Sequence, residues 1–390
     1  MDQFDKRSAL AFILAFGVVS LFGDMAYEGM RGLNGEFLAT LGATGAAVGV
    51  IAGTGELAGY LIRLFSGRLA QSSGAYWALS IGGYALTMAA VPMMAFAFSW
   101  QAAAVLIVLE RAGKAIRSPS NNTMQARAGD HIGQGWAFGV QEALDQTGAV
   151  AGPLITAFVL AHHGNYRAAY MWLAVPAALT MITVVSLSIR FRFAGRIAPA
   201  KKTETVADLS RGFWYYTASA ALLGFGFADF SLIAFHFGRT GEVSVALVPI
   251  FYAVAMGASG AGALLCGWLF DRRGMIVIVP AILAGAATTP LVFLGGPVAA
   301  FIGTALWGFA IGTQSTLTSA SVAKLVPEGM RARAYGLFSA IYGVSWFAGS
   351  ALLGELYDLS LPALVVVAVA TQLIALVPLA LTIRDFNRRG

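Results

Sequence analysis

Apolar runs of roughly 20 residues, each long enough to cross the hydrocarbon layer as a helix, recur along the chain between short charged or Gly- and Pro-rich breaks. The breaks predict twelve spans, at 8–30, 43–64, 76–98, 102–120, 136–160, 168–189, 213–237, 243–269, 275–294, 298–320, 333–356 and 362–383. An even number places both ends of the chain on one side. Lys and Arg crowd one set of loops and tails, from Lys6 and Arg7 through Arg190, Arg192, Lys201 and Lys202 to Arg384, whereas the other set holds only Arg31, Arg167 and Arg239. Positive charge stays in cytoplasmic loops, so both termini are predicted to be cytoplasmic.

Composition narrows the function classes. Of 390 residues, 58% are apolar and 11% charged, against about a quarter charged in soluble domains. Twelve spans leave no room for a soluble catalytic domain. The net charge of +6 is accounted for by loop orientation and calls for no nucleic acid. Cys266 is the lone cysteine, which excludes an intrachain disulfide and a cysteine metal cluster. The N-terminal run, Lys6 and Arg7 followed by Ser8 to Gly23, has the outline of a signal peptide. No small-residue cleavage site follows, and Asp24 and Glu28 interrupt the run, so it is read as an uncleaved first span. The longest polar connection, 191–212, divides the chain into a six-helix bundle at 1–190, a cytoplasmic linker and a second bundle at 213–390. The expectation is an all-α membrane protein of two pseudo-symmetric six-helix bundles, a monomer in the cell (inner or plasma) membrane, with no cofactor and no resident metal.

The halves repeat. Gly267 to Gly274 aligns with Gly67 to Gly74 at an offset of 200, Gly139 with Gly336 and Gly152 with Gly349 at 197, and Asp24 and Asp229 occupy similar depths in spans one and seven. Parallel six-span repeats are a transporter design in which the substrate site lies mid-membrane and alternating access comes from rocking the repeats. Gly267-Trp-Leu-Phe-Asp271-Arg272-Arg273-Gly274 resembles the G-x-x-x-D-R-x-G loop signature of the major facilitator superfamily. Gln71 and Ser72 replace its Asp and Arg in the first half. Gly139, Gly148 and Gly152-Pro153 are similar to the span-five motif of the drug:proton antiporter branch, with Thr156 and Ala157 in place of its closing glycines. Glu110-Arg111-Ala-Gly-Lys114-Ala-Ile-Arg117-Ser-Pro119 is similar to the span-four Arg motif in the form found in a bacterial subgroup. The resemblance implies a secondary transporter that exports a small organic compound in exchange for protons. Uptake by symport, facilitation, or export of an anion or metal ion are the alternatives. It also implies that Gly267, Asp271, Arg272 and Gly274 form a conformational latch, docked against a helix end such as the start of span eleven after Arg331 and Arg333, and that Gly139, Gly148, Gly152 and Pro153 bend span five to limit leak.

An ionised carboxylate at bilayer depth costs at least about 2.5 kcal/mol, which makes each of Asp24, Glu28, Glu56, Glu110, Glu142, Asp145 and Asp229 a candidate for function. Most belong to the first half, where proton coupling is therefore expected. Glu110 and Asp145 reach mid-depth from opposite sides at about 1.5 Å per residue. Glu110, Lys114 and Arg117 form a stripe on span four, with Arg111 about one hundred degrees away, and Glu142, Asp145, Gly148 and Gly152 share a face of span five. These spacings predict that Asp145, with Glu142 or Glu110, alternates between a protonated form and one paired to Arg111 or Lys114. The structural alternative is a permanent ion pair joining spans four and five. Glu28 and Arg31 are expected at the interface, neutralising each other. Asp24, Asp229 and Glu28 are candidates for an outer gate or substrate contact, with Trp307, Tyr342 and Trp346 as stacking surfaces. His131, His162, His163 and His236 have no H-E-x-x-H spacing, and no G-x-S-x-G or Walker A run occurs. An enzyme is not expected, and a receptor or scaffold has no need of mid-membrane charge. The expected partners are a small-molecule substrate, protons and the lipid bilayer.

Overall fold

The computed structural model describes residues 4–195, 209–327 and 330–388. Most of the predicted linker lies outside them. Ten helical stretches among the described residues are long and apolar enough to cross a membrane. One of these, Val248–Phe293, contains two helices, Val248–Arg273 and Ile278–Phe293. Trp100–Ile132 is a further helix of span length whose charged residues lower its hydropathy, so the twelve predicted spans all have a helical counterpart.

The helices overrun several predicted ends. Span one is one helix, Lys6–Thr40, which continues past its predicted end at residue 30, so Glu28 and Arg31 lie well inside the helix. Span four continues to Ile132 through Pro119. Spans two and eight run to Ser73 and Arg273, so the residues expected in two short loops occupy the last helical turns. Both helices stop at a glycine with φ +67°, Gly74 and Gly274. L-residues with a Cβ rarely adopt that conformation, and the repeat thus uses equivalent glycines for the same termination. Span seven is broken into Arg211–Gly226 and Phe230–Thr240. Span six breaks at Leu173 and span twelve at Ala375.

Two compact units result. The first comprises Met1–Phe37, Ala58–Lys201 and Val245–Ala253, the second Leu38–Leu57, Lys202–Ser244 and Val254–Gly390. The first holds most of the described part of spans one to six together with the start of span eight, and the second holds the start of span two and most of spans seven to twelve. In the first unit a Cβ added at Gly148 or Gly152 on span five would press on the carbonyl oxygens of Leu21 or Met25 on span one. In the second, a Cβ at Gly349 on span eleven would press on the Phe225 carbonyl of span seven. Close backbone approach of this kind needs small residues, and Gly152 and Gly349 perform it at equivalent places in the repeat. The ridge Gly45, Gly49 and Gly53 on span two packs within the second unit against Gly354, Ser350 and Phe347 of span eleven. There the Asp358 carboxylate accepts the N–H groups of Gly45 at 3.0 Å and Ala46 at 2.8 Å, satisfying donors left open at the start of span two.

Candidate functional site

The charged layer lies in the first unit and starts on span one, where Asp24, Tyr27, Glu28 and Arg31 share one face. Arg31 donates to Glu28 Oε1 at 3.2 Å, and its guanidinium lies 5.2 Å from the Tyr27 ring centre. The Tyr252 hydroxyl, from the start of span eight, donates to the other oxygen of Glu28. Glu28 is 5% exposed, so a buried carboxylate is held by one cation and one hydroxyl from separate helices.

Span four brings two more cations to the same tyrosine. Lys114 Nζ donates to the Tyr27 hydroxyl at 2.5 Å and lies 4.1 Å from the ring centre. Arg117, one turn on, is 4% exposed and donates to Thr87 Oγ1 of span three at 3.0 Å. Its guanidinium lies 4.4 Å from the Tyr84 ring centre and 5.7 Å from that of Tyr27. The negative faces of aromatic rings attract cations in this way. Spans three and four meet at Gly83 and Gly113, where a Cβ on either would crowd the other's carbonyl. That approach places Thr87 and Tyr84 beside Arg117.

The carboxylates are distributed differently from the sequence expectation. Glu110 is fully buried and its oxygens accept no hydrogen bond from a described residue. Its ion partner is the adjacent Arg111, with Nε 3.7 Å from Oε2. The expected Glu110–Lys114 pair does not form within 4 Å, because Lys114 turns to Tyr27 on span one. On span five, Asp145 is half-buried and accepts from Gln141 Nε2 at 2.7 Å. Glu142 is exposed and accepts from Gln146 on its own helix at 2.9 Å, so it does not turn toward span one with Gly148 and Gly152. Asp24 is half-buried and within electrostatic reach of Asp145, Lys114, Glu28 and Arg117. Neither Asp24 nor Asp145 forms an ion pair within 4 Å of a described residue.

The other candidates belong to the second unit. Asp229 caps the second half of span seven, accepting the Ser231 N–H at 2.9 Å. This local role follows from the helix break and differs from the mid-helix placement its alignment with Asp24 implied. Trp307 Nε1 donates to the Ala228 carbonyl at 2.9 Å, at the same break. Tyr342 and Trp346 are buried, with ring centres 5.6 Å apart, and Trp346 also stacks near Phe227 at 5.5 Å. Asp271 and Arg272 are exposed at the end of span eight, and Arg272 lies 3.8 Å from the Trp268 ring centre. The side chains of Arg331 and Arg333, where the latch was expected to dock, lie outside the described residues. A Cβ at Gly267 would meet only Thr316 Cγ2, at 3.7 Å, and one at Gly139 would enter open space. No three His, Cys, Asp or Glu side chains cluster to hold a metal among the described residues.

A model of the Major Facilitator Superfamily matches residues 8–384. The chain belongs to this family. It is therefore a multi-pass membrane transporter that works by alternating access on a small-molecule substrate, and not an enzyme. An uncharacterized protein of Mycobacterium tuberculosis is 39% identical over 377 residues, covering 95% of this chain and 92% of its own. An uncharacterized MFS-type transporter of Methanocaldococcus jannaschii is 22% identical over 370 residues, covering 89% of both. Among solved structures, the nucleoside transporter NupG superposes with a TM-score of 0.71 at 15% identity, covering 96% of this chain and 99% of its own. A mutant of the peptide transporter POT gives 0.78 at 14%, covering 98% and 99%. At such identities the two structures establish the fold alone.

Tyr27, Tyr84 and Thr87 escaped the sequence reading because a neutral hydroxyl costs less at bilayer depth than an ionised group and does not stand out in an apolar run. Tyr27 had one usable signal, its place between Asp24 and Glu28 on a charged helical face. Glu36 is a second omission, a carboxylate only 1% exposed and close to Tyr166, missed because span one was expected to end before it.

Proposed function

We propose that this transporter is proton-coupled, with Asp145 and Asp24 as the exchanging carboxylates and Lys114 as the cation whose field they share. The observation that carries the reading is the pair itself. Two half-buried carboxylates on packed helices, neither in an ion pair with a described residue, are within electrostatic reach of one ammonium group. A neighbouring cation favours the charged form of a carboxylate and desolvation the neutral form, so a small change in water access moves a proton on or off. The coupling sense implied by the span-five resemblance is antiport, with efflux of a small organic compound, in which the substrate displaces the proton. The seating of Gly148 and Gly152 on the backbone of span one beside Asp24 supports a direct mechanical link between the two carboxylates.

A second sense has its own observation. Lys114 and Arg117 have no carboxylate within 4 Å among the described residues, so a substrate that takes the carboxylates' place at these cations would travel with the proton, as a symporter.

Proteoliposomes containing a pH-sensitive dye test both. Adding compounds outside the vesicles makes the lumen alkaline under antiport and acid under symport, and Asp145→Asn abolishes either response. Compounds that cross without proton movement in wild type and variant alike refute proton coupling.

A further inference from the structure

We infer that the substrate presents an anionic oxygen group, a carboxylate or a phosphate, to Lys114 and Arg117. The inference rests on the proposal that the charged layer of the first unit is the transport site, and it selects the second coupling sense.

Four cations surround the layer, and they fall into two kinds. Arg31 and Arg111 each have their own carboxylate, Glu28 at 3.2 Å and Glu110 at 3.7 Å. Lys114 and Arg117 are held instead by neutral groups: the Tyr27 hydroxyl, the Thr87 hydroxyl and two aromatic rings. An ammonium offers three donors and a guanidinium five, and each of these side chains makes one hydrogen bond to a described residue. Lys114 and Arg117 are three residues apart on one helix and therefore project from the same face, as a two-point receptor for a single oxyanion. Arg matches the oxygens of carboxylates and phosphates geometrically. Lys114 is half-buried and Arg117 is 4% exposed, so the pair is partly withdrawn from its surroundings.

The same cluster argues against a cationic substrate. Arg31, Lys114 and Arg117 converge on the single ring of Tyr27, and an added ammonium there would meet like charge. An anion would compete with Asp24 on span one and Asp145 on span five for the field of Lys114. Glu28 and Glu110 are held by Arg31 and Arg111, with Tyr252 on Glu28 and Tyr84 stacked on Arg117. Protonation of Asp24 and Asp145 removes the competition, so proton and anion load together.

The test uses the purified full-length protein and a panel of organic carboxylates and phosphate monoesters, with the amides and amines of the same skeletons. Melting temperature reads binding, and the dye-loaded proteoliposomes read transport. Carboxylates or phosphates, and not the amides or amines, are expected to stabilise the wild type and acidify the lumen. Lys114→Gln and Arg117→Gln should each weaken the apparent affinity at least tenfold, read as the ligand-induced shift relative to each variant's own ligand-free melting temperature. If Arg117→Gln does not fold, Lys114→Gln carries the comparison. Asp145→Asn should retain anion binding and lose proton movement. Anions that cross without protons in the wild type would defeat the coupling proposal and leave the anion site standing. Amines that drive Asp145-dependent flux would do the reverse. The anion site is also overturned if no anion of the panel binds, or if anions bind wild type and both variants equally.

Discussion

Replacing Gly152 with alanine gives the sharpest test of how spans one and five meet. The new Cβ would lie 2.9 Å from both the Gly29 nitrogen and the Met25 carbonyl carbon and closer still to the Met25 oxygen. All three are backbone atoms, so no side chain can rotate away and the two helices must separate. Overpacking typically costs about 1–3 kcal/mol, and with backbone on the far side the upper end applies. About 3 kcal/mol corresponds to roughly a 150-fold loss in the folded-to-unfolded ratio. Gly139, the opening glycine of the same resemblance motif, is the internal control. It is exposed, and a Cβ there has no atom within 4 Å. Alanine is favoured over glycine in a helix by about 1 kcal/mol, so Gly139→Ala should be neutral or slightly stabilising. Denaturation of both variants in detergent, followed by helix content, measures the difference. Equal stability of Gly152→Ala and wild type would refute the packing account, as would a loss in Gly139→Ala matching that in Gly152→Ala.

Two further outcomes follow from helix ends in the second unit. Asp229→Ala should lower stability by about 1 kcal/mol through loss of the cap on Ser231, while Asp229→Asn keeps it. Transport abolished by Asp229→Asn at unchanged stability would show that the charge works beyond the cap. Asp358→Ala removes the acceptor for Gly45 and Ala46 and should weaken the start of span two by about 1 kcal/mol. Amide hydrogen exchange at these two positions reads the effect, and unchanged protection would contradict the capping role.

The resemblance motifs mix residues with different structural duties. Gly148 and Gly152 seat span five on span one, whereas a Cβ at Gly139 would meet nothing within 4 Å. Gly148 and Gly152 are four residues apart and share a face, while Gly139, nine residues before Gly148, lies on the opposite side of the helix, but this period does not say which face meets a neighbouring helix. Glu110 and Lys114 show the same gap. Their i,i+4 spacing permits a pair, yet the hydroxyl and ring of Tyr27 capture Lys114, and Arg111 serves Glu110 despite its different direction from the helix axis. Long flexible side chains reach partners that a helical wheel does not place beside them.

From the sequence alone came the membrane character, twelve helical spans, the repeat and its turn glycines, since transfer of apolar residues from water and the φ > 0 allowance of glycine are properties of each residue and its immediate neighbours. The charged layer needed the tertiary structure. Glu28 and Tyr252 are 224 positions apart, and Tyr27 gathers its cations from spans one and four. Which donor meets which acceptor depends on the rotation, tilt and length of every helix at once. Those are set by close packing at Gly83, Gly113, Gly148 and Gly152, contacts that exist only once the helices have assembled.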